Sequence, residues 1–185
     1  MSEPRVPEVP AGHEDPTRPT PERQGRIVVV TYNPIAAAIV AIAEQVGRPT
    51  TVLDHRDAEA PGPKVGTGTD AATDPATWLA QNPLDADDAL VFCDHDTPQT
   101  LELLRSALDG DAGYIAMMGS RRRAETVFAA LQGENLPDHT LRRLHVPAGL
   151  NIGGKAPGEI ALSVVAEIVA TSYGRPAGPL RDGLD

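Results

Sequence analysis

From Arg26 onward the chain alternates short apolar runs with longer segments of helical periodicity. RIVVVT (26–31) is β-branched and apolar throughout, the pattern of a strand buried on both faces. NPIAAAIVAIAEQVG follows. Asn33 suits a helix cap and Pro34 its first position; Ile35, Ile39, Ile42 and Val46 recur at helical spacing, and Gly47 supplies a stop. PTTVLD (49–54) predicts a second strand. Residues 57–70 are loop-like, with a short strand around Val65, and Asp74-Pro75 opens a helix through Trp78 and Leu79. ALVFC (89–93) predicts a strand, and Thr97-Pro98 begins a helix carrying Leu101, Leu104 and Leu108. GYIAMM (113–118) predicts a strand that runs into a helix over 119–131. Asp138 starts a short helix to Leu144, HVPAGL is a short strand or turn, and Pro157 opens a helix. Ile160, Ala161, Val164, Val165 and Ile168 form the apolar side of this last helix.

Strand and helix alternate without interruption. This predicts an α/β fold: a doubly wound, mostly parallel, Rossmann-like sheet in a three-layer α/β/α arrangement. Residues 1–25 differ. They hold six prolines interleaved with charge, and Val6 and Val9 are their only sizeable apolar side chains. Such a stretch buries too little surface to offset its ordering entropy, so a disordered tail is expected. Residues 175–185 form a short C-terminal tail. A folded domain over 26–174 lies between.

Composition narrows the function. The chain has 185 residues, of which 41% are hydrophobic and 3% aromatic, and a net charge of −10. The acidic balance and scarcity of aromatics argue against nucleic-acid partners. No apolar run approaches the roughly 20 residues of a membrane span, so no membrane partner is expected. A single cysteine excludes an intrachain disulfide framework. The first residues lack an apolar signal region, and a cytoplasmic location is expected.

In a doubly wound sheet, ligands bind beyond the carboxyl ends of the strands. The first turn holds Thr31 and Asn33 where a dinucleotide fingerprint has glycines. Pro34 removes one free N–H there. Asp54 ends the second strand, near the offset at which an acid meets a ribose hydroxyl. CDHD (93–96) ends an apolar strand in ionisable residues, which makes His95 and Asp96 pocket candidates; the alternative is a solvated helix cap. Gly119-Ser120-Arg121-Arg122-Arg123 is the strongest local signal. Three arginines at a helix start oppose the macrodipole, and a bound anion would relieve that cost. Between His145 and the last helix lies a shaped glycine loop that includes Gly149, suited to close approach of a ligand or to a turn the fold requires.

CDHD, GYIAMMGSRRR and LHVPAGLNIGGKAPGEIALSVVAEIVA, in that order, resemble the C-terminal Rossmann-like domain of the XdhC/CoxI family. The resemblance implies an accessory protein for molybdenum hydroxylases, of the xanthine or carbon monoxide dehydrogenase type, rather than an enzyme. It implies that molybdenum cofactor (molybdopterin) is bound, with its phosphate or pyrophosphate. It implies partners: the hydroxylase apoenzyme and a cysteine desulfurase, with a second copy of the chain as a further candidate. By the same resemblance His95, Asp96, Gly119, Ser120, Arg121 and His145 line the pocket. The first turn departs from the family's G-A-G-H-[VI]-A, Ala156 replaces a capping Thr, and the Pro-rich tail stands where full-length members carry an N-terminal domain. Two other readings compete. One is a degenerate Rossmann scaffold without ligand; the other is an NAD(P)-binding oxidoreductase using His95 as acid or base.

Overall fold

The computed structural model describes residues 24–54, 74–93, 98–132 and 136–179. Five strands, β1 (Ile27–Val30), β2 (Thr50–Leu53), β3 (Ala89–Phe92), β4 (Tyr114–Met117) and β5 (Leu144–His145), form one sheet in the order β2-β1-β3-β4-β5. Every pairing is parallel, so the expected mostly parallel sheet is parallel throughout. The helices are α1 (Pro34–Gln45), α2 (Pro75–Gln81), α3 (Pro98–Asp109), α4 (Arg121–Gln132), α5 (Asp138–Leu141) and α6 (Pro157–Ser172). The expected strand around Val65 and the Thr97 cap lie outside the described residues.

Strand alternation splits the core into two layers. Ile27, Val29, Val91 and Ala116 face α1 and α6. Val28, Val30, Phe92 and Ile115 face Trp78 of α2, Leu104 and Leu108 of α3 and Leu131 of α4. Both faces are covered, which is why β1, β3 and β4 are buried at every position. The three layers expected from the sequence are present.

Two expectations need correction. The fully buried positions of α1 are Ala36, Ile39, Val40 and Ala43, with Ile35 and Ile42 packed partly buried against the same core; of the expected positions it is Val46, at the helix end, that is exposed. The alanines let α1 approach α6 closely, and both helices share one core layer. The helix from Asp138 ends at Leu141, because Leu144 pairs with Ile115 as the start of β5.

The amino end of the sheet is fixed by arginines. Arg26 donates to the buried Asp88 through its backbone N–H (3.0 Å) and Nε (3.1 Å), and its guanidinium lies over Trp78. Arg143 donates to the Leu108, Gly110 and Ala112 carbonyls and so closes the end of α3. The carboxyl ends carry the loops.

The strand order reverses between β1 and β3, since α1 leads outward to β2 and α3 leads to β4 on the other side. That switch point is where open α/β sheets bind ligands.

Candidate functional site

The β1–α1 turn is engaged with itself. Asn33 Oδ1 accepts from the Ile35 and Ala36 N–H groups, both at 2.9 Å, and the Asn33 carbonyl takes the Ala37 N–H. Pro34 has no N–H to offer. Of the amides at this helix terminus, that of Pro34 is thus absent and those of Ile35 and Ala36 are occupied, which leaves few donors for a phosphate. Asn33 Nδ2 donates to the Cys93 carbonyl at 2.9 Å, which straps the switch point from β1 to β3. Asp54 accepts from the Tyr32 N–H at 3.2 Å. Thr31 is buried with φ +74°, a glycine-like conformation in a β-branched residue, and among the described residues its hydroxyl has no hydrogen-bond partner. Burial raises the Cys93 thiol to about 12, so it is an inert core residue.

The β4–α4 turn is organised differently. Ser120 starts α4: its carbonyl takes the Ala124 N–H and its Oγ accepts from the Arg123 N–H at 3.3 Å. Among the described residues, no hydrogen bond engages the Arg121 or Arg122 N–H. This turn forms one side of a cleft of about 920 Å³, within the roughly 300–1,000 Å³ range of small-molecule sites. The loop 147–155 forms the other side, with Ile35, Ile160 and Ser163 below. The lining carries Arg121, Arg122, Arg123 and Lys155 and, among the described residues, no carboxylate. In a chain of net charge −10, this concentrates positive potential where α4 presents its positive end.

The loop opposite is shaped by its contacts. The Val146–Pro147 peptide is cis. Ala148 donates to the Met117 carbonyl, and Leu150 donates to the Ser163 carbonyl. Gly149 has φ +96°, and a Cβ there would stand 2.3 Å from Ser163 Oγ, so the position requires glycine. Its N–H donates to Glu167 Oε2 at 2.8 Å. At the far end, Glu159 Oε2 accepts from the Lys155 and Ala156 N–H groups, each at 3.0 Å. Ala156 has no side chain with which to cap α6, and Glu159 supplies the return half of a capping box instead. Those two backbone bonds hold its carboxyl below the usual range.

Glu167 also accepts from the Tyr114 hydroxyl at 2.5 Å, and its Oε1 lies 3.2 Å from His145 Nδ1. The Tyr114 and His145 rings are in contact, with centroids 4.3 Å apart. Burial opposes the charge on Glu167, but hydrogen bonds from His145, Tyr114 and Gly149 outweigh it and leave its pKa low. Burial, followed by the adjacent carboxylate, pushes the Tyr114 phenol upward.

The sequence-derived candidates therefore separate into groups. Gly119, Ser120, Arg121 and Gly149 meet at the cleft. Thr31, Asn33 and Asp54 form the neighbouring β1–α1 cluster, and among the described residues of this turn it is Ile35 that lines the cleft. His145 sits behind the loop, against Tyr114 and Glu167. His95 and Asp96 lie outside the described residues. Sequence reasoning missed Glu167, Glu159 and Lys155. The signal for Glu167 was a lone carboxylate beside Val164, Val165 and Ile168 on the buried side of α6.

The class is thus a doubly wound α/β domain whose open, cationic cleft lies at the β4–α4 turn. Comparison with known proteins narrows it further: residues 27–168 match the family model described as the XdhC Rossmann domain, and the chain belongs to that family. It is 27% identical over 151 residues to a probable xanthine dehydrogenase subunit of Bacillus subtilis, covering 81% of this chain and 44% of that protein. It is 32% identical over 80 residues to the uncharacterized protein YqeB of Escherichia coli, covering 43% of this chain and 15% of that protein. A solved structure of a xanthine dehydrogenase from Bacillus halodurans superposes with a TM-score of 0.68 at 26% identity, over 88% of this chain and 47% of the other. The chain spans less than half the length of these relatives. Among the described residues, no helix is long and apolar enough to cross a membrane.

Proposed function

We propose that this domain binds molybdenum cofactor, or its nucleotide form, as cargo, and presents it to a molybdenum hydroxylase of the xanthine or carbon monoxide dehydrogenase type. The cofactor's phosphate would face the β4–α4 turn. The observation that carries this reading is that, among the described residues, every charged side chain of the lining is a cation and no hydrogen bond engages the Arg121 or Arg122 N–H. Helix end, hydroxyl and guanidinium groups there match a phosphate in charge and hydrogen-bonding sense. Among the described residues, no group of three or more His, Cys, Asp or Glu side chains could hold a metal ion. Recognition by these residues would fall on the phosphate and the pterin, and the metal would travel with the ligands its cofactor brings. The names of two relatives, both xanthine dehydrogenase proteins, support the choice of partner.

The self-capped β1–α1 turn weighs against an NAD(P)-dependent oxidoreductase, because Asn33 takes the donors a pyrophosphate would use there. The same turn favours the scaffold reading as runner-up.

Calorimetric titration of the purified chain with inorganic pyrophosphate, and then with molybdopterin, tests the proposal. Both bind in the expected case. Arg121→Ala then loses about tenfold in affinity, since a charge-assisted hydrogen bond at an exposed site contributes about 1.5 kcal/mol. No binding by the wild type, or unchanged affinity in the variant, would overturn the assignment.

A further inference from the structure

Beside the backbone bonds of Ala148 to Met117 and of Leu150 to Ser163, the cleft's loop is held from behind by the carboxylate of Glu167. Glu167, on α6, receives the Tyr114 hydroxyl from β4 and the Gly149 N–H from the loop on the same oxygen, Oε2. Its other oxygen faces His145 Nδ1 at the end of β5. One half-buried side chain thus joins two strands, a helix and the loop 147–155. The partners also dictate polarity. The Gly149 N–H can only donate, so the atom facing it must be an acceptor. With a carboxylate at this position Oε1 is an acceptor as well, and His145 Nδ1 must then carry a proton. Neutral His145 would hold its remaining lone pair on Nε2.

We propose that Glu167 is a positioning residue for the cleft: it pins the loop through Gly149 and fixes neutral His145 as the Nδ1–H tautomer. Only the consequence for ligand affinity rests on the function proposed above; the loop and the tautomer concern the free protein.

Glutamine and alanine separate the two roles. In Glu167→Gln the amide oxygen must face Gly149 and Tyr114, because an NH2 there would meet the Gly149 donor. The amide NH2 then faces His145, which must present an unprotonated Nδ1. The tautomer inverts while the loop stays. In Glu167→Ala the loop loses its side-chain anchor at Gly149 and keeps the backbone bonds of Ala148 and Leu150.

The experiment is nitrogen-15 NMR of the whole chain at a pH where the imidazole is neutral, read at the His145 ring and the Gly149 amide. The expected result is Nδ1–H in wild type, Nε2–H in Glu167→Gln, and a protected Gly149 amide in both. Glu167→Ala should lose the Gly149 protection, at least about tenfold in exchange rate, with other sheet amides unchanged. Pyrophosphate affinity should fall by about tenfold in Glu167→Ala, the scale typical when an orienting group is removed, and hold within about twofold in Glu167→Gln. An Nε2–H tautomer in wild type, an unchanged tautomer in Glu167→Gln, or an unaltered Gly149 amide in Glu167→Ala overturns the proposal. If Glu167→Ala does not fold, the Glu167→Gln arm decides alone. If wild type fails to bind pyrophosphate, the function proposed above falls, while the ring and amide resonances still decide the role of Glu167.

Discussion

Replacing Asn33 with alanine removes three hydrogen bonds from one side chain. Two are the cap on α1, from Ile35 and Ala36 at 2.9 Å, and one is the strap to the Cys93 carbonyl. Loss of an N-cap costs about 1 kcal/mol. The Cys93 carbonyl belongs to a buried residue, and leaving such an acceptor unpaired adds about 1–3 kcal/mol. The sum is about 3 kcal/mol, which for a chain of this length lowers Tm by about 6–12 °C. Asn33→Asp separates the terms: it keeps the cap and adds charge at the positive helix end, but it cannot donate to Cys93. It should recover about 1 kcal/mol of the loss. Urea unfolding followed by circular dichroism measures all three proteins. An alanine variant within about 0.5 kcal/mol of wild type would refute the reasoning, since the turn would then not depend on Asn33. The functional corollary is that NADH leaves the Ile35 and Ala36 amide resonances unmoved.

Other consequences follow from the same geometry. Thr31→Gly relieves a left-handed β-branched residue (about 1–2 kcal/mol) and removes an unpaired buried hydroxyl (about 1–3 kcal/mol). It gives up about 0.5–1 kcal/mol in chain entropy and about 0.8 kcal/mol in buried methyl, so a net gain of about 2 kcal/mol is expected. A variant less stable than wild type in thermal unfolding would contradict that balance. Cys93, with its thiol raised to about 12, should resist iodoacetamide at pH 8 in the native state and react once unfolded; native-state alkylation would show that the site is open. Glu167 has a depressed pKa, so its stabilisation is complete above the ordinary value near 4.3 and is lost as pH falls through the lower folded value. Urea midpoints of wild type and Glu167→Gln should differ steadily from pH 7 to about 5 and converge below that; a gap that widens in acid has the wrong sign.

Much of the architecture was legible because each strand is a short apolar run bounded by turn residues, and because Asn33-Pro34 and Asp74-Pro75 carry their own cap chemistry. The face of α1 was legible in part. Ile35, Ile39 and Ile42 do lie on the core, but the most buried positions beside Ile39 include Ala36 and Ala43, and the close contact that favours those alanines belongs to α6 as much as to α1. β5 was read partly as helix because its two residues become a strand only through pairing with β4. At the site, the Ser-Arg turn stood out from local electrostatics alone. Glu167 did not, because its partners lie at 114, 145 and 149 and no local pattern joins them. The closure of the first turn was half legible: Pro34 and a capping Asn33 were visible, while the strap to Cys93 spans 60 residues.

The most direct test of the central claim is native mass spectrometry of the chain purified from cells that make molybdenum cofactor, with added cofactor as a control. The account predicts a bound phosphorylated pterin at one per chain, with lower occupancy in Arg121→Ala. A chain that carries no pterin and takes none up when cofactor is added would contradict it.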